Sequence, residues 1–73
     1  MTVNEQRLRN AVGDHCFTLD LSENQADTCR LYALRLTRAP HFASEEQALM
    51  QAKMLAELYH KHNRLAGELR YVC

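Results

Sequence analysis

In the C-terminal half of the chain, apolar positions return in alternating steps of four and three. Ala48, Ala52, Leu55, Tyr59, His62 and Ala66 follow one line; Met54, Leu58 and Leu65 widen it on one side, Leu49 and Ala56 on the other. At about 100° per residue these positions cover roughly 200° of a helical cylinder. Lys53, Glu57, His60, Lys61, Arg64 and Glu68 fill the remaining polar arc. The pattern predicts a long third helix starting after Ser44. A stripe wider than half the cylinder is too much for one flanking neighbour, so this helix is expected to be central or to pack against a second copy of the chain.

A second helix is predicted from about Glu23 to Arg38, with Ala26, Cys29, Tyr32, Ala33 and Leu36 on its inner face. Glu23 and Asp27 in its opening turns and Arg35 and Arg38 in its last suit the helix dipole. Pro40 disfavours helical geometry at Ala39. The connection is short, so helices two and three should be antiparallel or sharply angled neighbours. Leu31 and Leu34 fall outside the inner face, on the flank shared with Asp27 and Arg38. Two leucines ringed by charges have the make-up of a small interface with a polar rim. Asp27, Leu31, Leu34 and Arg38 are therefore the candidate partner-binding residues.

The first helix is expected to be short, roughly Val3 to Val12, with Leu8, Ala11 and Val12 on one face and Gly13 as its stop. In CFTLDL, residues 16–21, Phe17, Leu19 and Leu21 alternate with Thr18 and Asp20, which is strand periodicity; an extended apolar connector would look the same. Gly67 leaves two readings for the tail. Either the third helix continues to Val72, or it ends and residues 68–73 form a strand that pairs with residues 16–21 in a two-stranded ribbon. Thr2 with Glu5, Ser22 with Gln25 and Ser44 with Gln47 have capping-box spacing, one for each helix start. The fold class is mainly α: one small three-helix domain over residues 1–73, a short N-terminal helix followed by an antiparallel helical hairpin, with or without the ribbon.

Composition narrows the functional classes. A chain of 73 residues buries only about 60% of its unfolded surface, and scaffolds of this size usually need a disulfide, a metal or a second copy. The three cysteines, Cys16, Cys29 and Cys73, are an odd number for a disulfide framework. Residues 3–7 offer no apolar signal segment and no run approaches bilayer-spanning length, so free thiols in the cytoplasm, with no membrane partner, are expected. Nine basic and nine acidic residues cancel, which weighs against a general nucleic-acid binder.

The chemistry-bearing side chains form no recognised constellation. His60 and His62 are two apart and would point about 200° apart on a helix, so they cannot share an ion. His15 and Cys16 are adjacent, but neighbours in an extended segment face opposite ways. Ser22 and Ser44 are explained as caps, Glu45 and Glu46 by the helix dipole, and Gly13 and Gly67 stand alone. No catalytic residue, metal or cofactor is assigned, and the chain is not expected to be an enzyme. The basic face Lys53, His60, Lys61 and Arg64 is the nucleic-acid candidate, but Glu57 and Glu68 interrupt it and can pair with Lys61 and Arg64 as on an ordinary wet face.

The expectation is a non-enzymatic interaction or regulatory protein. It would act as a homodimer that binds and modulates an unidentified protein by surface occlusion, with inhibition as one form of that modulation. A DNA-binding regulator using the basic face is the alternative; a metal-stapled fold is the weaker one. Small size, free thiols and no catalytic motif resemble in style the accessory proteins of phages, plasmids and their bacterial hosts, although no motif carries that likeness.

Overall fold

A computed structural model describes the backbone of residues 4–42 and 44–72, and their side chains up to Gly67. It contains α1 (Glu5–Thr18), α2 (Glu23–Thr37) and α3 (Glu45–Val72), each in contact with the other two. Among the described residues there is no strand.

The helix starts are made by short polar side chains. The Asn4 side chain accepts the Arg7 backbone N–H at 3.0 Å and caps α1; Thr2, expected in that role, lies outside the described residues. At α2 the capping box is complete: the Gln25 N–H donates to Ser22 Oγ and the Ser22 N–H to Gln25 Oε1, each at 3.2 Å. Ser44 Oγ accepts the Gln47 N–H at 3.1 Å at the head of α3.

Two expectations about the first third of the chain are corrected. Gly13 does not end α1, which continues five residues further to Thr18. The Arg30 guanidinium lies over its bare backbone, 3.0 Å from where a Cβ would stand. Residues 16–21 are not a strand. Cys16 to Thr18 form the last turn of α1, and the chain then reverses through a Schellman cap. The Leu21 N–H donates to the Cys16 carbonyl at 3.2 Å and the Asp20 N–H to the Phe17 carbonyl at 3.1 Å, with Asp20 in the left-handed region at φ 58. This cap produces the strand-like alternation, because Leu19 and Leu21 both close on the core. A strand would put Phe17 with them; instead Phe17 is 86% exposed.

The ribbon is corrected for the same reason at the other end. Gly67 lies inside α3 and the backbone of residues 68–72 is helical, so its amides are used within the helix and cannot pair with residues 16–21. Cys73 lies outside the described residues.

Among the described residues, each helix gives three to the buried core: Leu8, Val12 and Cys16 from α1, Ala26, Cys29 and Ala33 from α2, and Ala48, Ala52 and Ala56 from α3. The steps of three and four keep each trio on one face. The small side chains of α2 and α3 let the backbones approach closely. Hydrogen bonds tie the elements at the rim. Arg7 donates twice to Glu45, at 3.1 and 2.7 Å, and the Gln25 and Asn63 amides exchange hydrogen bonds at 3.1 and 2.9 Å.

The lengths do not match. At 1.5 Å per residue α1 and α2 are about 21 Å long and α3 about 42 Å, and the molecule measures 52 × 20 × 15 Å. Among the described side chains, none beyond Asn63 joins the core or a cross-helix hydrogen bond. The last turns of α3 therefore run on past the bundle.

Candidate interaction surface on α3 and α2

The core-facing line of α3 is Ala48, Ala52 and Ala56, closed by Leu49, Leu55 and Tyr59. Relative to the broad stripe read from the sequence, burial is rotated toward the Leu49 and Ala56 side. Two short neighbours cannot wrap an arc of about 200°, and they pack against the small residues, where approach is closest. The bulky opposite edge stays uncovered: Met50 is 60% exposed, Met54 56%, Leu58 64% and Leu65 51%. Lys61 occupies the step between Leu58 and Leu65. The five positions follow spacings of four, four, three and four, a helical seam of the kind that packs against another helix. His62, expected on the apolar line, is exposed.

Beside this seam runs a charged flank. Glu46, Lys53, Glu57 and Arg64 are all exposed and lie within about 40° of one another around the helix. Among the described residues, Glu46, Lys53, Lys61 and Arg64 enter no ion pair; Glu57 Oε1 is 3.3 Å from His15 Nε2 and not paired with Lys61. The His15 contact lacks hydrogen-bond geometry, leaving that ring nitrogen buried without a hydrogen-bond partner. The side chain of Glu68, expected to pair with Arg64, lies outside the described residues.

Of the four candidate partner-binding residues on α2, Asp27, Leu31 and Arg38 are exposed and Leu34 is half-buried. Leu31 is 58% exposed, whereas Leu34 packs against the core. Asp27 is paired with Arg30, and Arg38 reaches Glu5 on α1 at 3.5 Å. The neighbours of Leu31 around a shallow surface hollow are Thr28, Tyr32, Arg35 and Leu55. The sequence reading missed Met50, Tyr32 and Arg35 as surface residues. The spacing of Met50, four before Met54, is the signal that could have found it.

The basic face is also redistributed. Lys53, Lys61 and Arg64 are exposed, but His60 is half-buried, its Nδ1 hydrogen-bonded to the Leu19 carbonyl at 3.1 Å; against a carbonyl the ring nitrogen must donate. Glu46 and Glu57 share the same side of the helix, so no continuous basic track forms.

Cys16 on α1 and Cys29 on α2 belong to the same buried core cluster. Both cysteines are buried and free. Burial pushes the Cys29 thiol up to about 12, helped by Cys16, and raises that of Cys16 as well. A nucleophile needs the thiolate, so these groups serve as small core side chains at neutral pH. Among the described residues, no three His, Cys, Asp or Glu side chains are grouped so that they could hold a metal ion, and no helix is long and apolar enough to cross a membrane. Comparison with known protein families, with curated proteins and with solved structures finds no match to this chain.

Proposed function

We propose that the chain is a non-enzymatic interaction protein that works as a homodimer and modulates another protein by occupying its surface. The observation that carries this reading is the uncovered seam of Met50, Met54, Leu58 and Leu65, each more than half exposed on a helix that outruns its own bundle. Single exposed apolar residues are ordinary; four on one line of one helix are a surface made for contact. The seam is assigned to self-association. The outer face of α2 is assigned to the partner, because Leu31, Tyr32 and Arg35 include two of the residue types that dominate binding energy at interfaces.

Magnitudes set the strength of the self-association. Burying a side chain that is already about half covered is worth ~1 kcal/mol, so eight such side chains in a symmetric pair give ~8 kcal/mol before costs. Association itself costs ~4–15 kcal/mol. At the low end of that cost about 4 kcal/mol is left, so the dimer is weak, with a dissociation constant of ~1 mM, which charge pairs at the rim, at up to ~1 kcal/mol each, tighten toward about 10 μM. The test is thermal unfolding as a function of concentration. A dimer melts at higher temperature when concentrated. Across that range the midpoint should rise for the natural chain and stay constant for Leu58→Asp, whose side chain is already in water and should not disturb the fold. A midpoint independent of concentration in the natural chain would remove the homodimer.

A further inference from the structure

We propose that two copies pair through α3 in antiparallel orientation, about a two-fold axis level with Leu55. This rests on the homodimer reading above and supplies its geometry. Glu46 and Arg64 lie nine residues before and after Leu55, and Lys53 and Glu57 lie two before and after it. In both pairs the signs are opposite. A two-fold axis at that level, perpendicular to the helix, sets Glu46 of one copy opposite Arg64 of the other and Lys53 opposite Glu57, so all four charges find partners twice over.

The apolar seam fits the same register through Met50, Met54 and Leu58, while Leu65 of each copy falls level with Glu45 at the head of the other's α3. Met54 of the second copy falls level with residue 56, between Met54 and Leu58 of the first. Leu58 of the second falls level with residue 52, between Met50 and Met54. Met50 of the second falls level with residue 60, just beyond Leu58. Side chains of the two copies thus alternate at steps of about 3 Å along the common axis, which is how ridges on one helix fill the gaps of another. In antiparallel helix pairs each flank faces the same flank of its neighbour. In a parallel pair the charged flank would instead face the other edge, where Gln51, Leu55 and His62 offer no opposite charge. Charge complementarity therefore selects both the occupant, a second copy, and its direction.

The test is site-specific cross-linking in a Cys73→Ser background, with Cys16 and Cys29 buried. Met54→Cys and Leu65→Cys are made separately and oxidised with diamide at several hundred micromolar, and covalent dimer is read on a non-reducing gel. Antiparallel pairing brings the two copies of position 54 together near the axis and holds the two copies of position 65 about 30 Å apart. Met54→Cys should link and Leu65→Cys should not. Linking of both would mean a parallel pair and overturn the proposal. Linking of neither, with sedimentation still reporting a dimer, would overturn α3 pairing and leave the homodimer standing; a monomer by sedimentation would remove both.

A charge exchange checks the register independently. Arg64→Glu alone should weaken dimerisation by about tenfold at low salt, and adding Glu46→Arg to the same chain should restore it, with circular dichroism melts confirming that each variant folds. Failure of the second change to restore dimerisation would overturn the pairing of Glu46 with Arg64.

Discussion

Asp20 is where the chain turns the corner between α1 and α2. Its φ of 58 lies in a region that costs an L-residue about 1–2 kcal/mol, with aspartate among the side chains that tolerate it best. Asp20→Val should therefore lower stability by about 1–2 kcal/mol, and Asp20→Gly should leave it unchanged or raised, because glycine has no Cβ to strain. Urea midpoints measure both; equal losses for the two would mean that the Asp20 side chain, not the backbone, holds the corner. Cys16 and Cys29 make a second residue-scale prediction. They are 1% and 0% exposed, and their thiols are held protonated. In a Cys73→Ser chain, neither should react with a disulfide reagent before unfolding, and both should react in denaturant. Rapid labelling of the native protein would contradict the burial. The same shifts give the alkaline limb of stability. A thiol whose folded value is raised above 9.0 stabilises fully below that pH, and the contribution is lost as the pH climbs toward the folded value.

At the scale of elements, the contact between Arg7 on α1 and Glu45 at the head of α3 contributes to the acid side of stability. The Arg7 hydrogen bond first, and then its charge, hold the Glu45 carboxyl below its ordinary 4.5. A depressed carboxylate stabilises the fold above the unfolded value and loses that contribution as pH falls through the folded one. Glu45→Gln should thus lower stability slightly at neutral pH and flatten its decline below pH 4.5; an unchanged acid limb would mean that the pair contributes nothing in solution. The starts of α2 and α3 were legible in the sequence, since Ser22 and Ser44 cap where their spacing to Gln25 and Gln47 placed them. The end of α1 was not. Gly13 looks like a stop, and the Arg30 guanidinium that lies over it comes from another helix. CFTLDL looks like a strand because a Schellman cap turns Leu19 and Leu21 inward two residues apart. The apolar breadth of α3 was legible as well, but which part of the arc is buried depends on how closely α1 and α2 can approach. That is decided by three alanines whose small size carries little hydropathy signal.

On the scale of the whole molecule, helices of 14 and 15 residues pack on one side of a 28-residue α3, and its opposite edge is left uncovered alongside the bundle itself. The chain covers the alanine face of α3 with its own helices and leaves the methionine and leucine edge in water. Its composition already implied that some staple was needed, and that edge is where one is proposed. Neither the outward position of Leu58 nor the half-burial of Leu34 could be read before the helices were assembled, because both depend on the rotation of each helix against its neighbours. The most direct test is the solution mass by sedimentation equilibrium from about 10 μM to 1 mM. The account predicts a rise toward twice the 8.5 kDa monomer mass, abolished by Leu58→Asp with the fold intact. A mass that stays at the monomer value throughout, or a Leu58→Asp variant that dimerises as well as the natural chain, would contradict it.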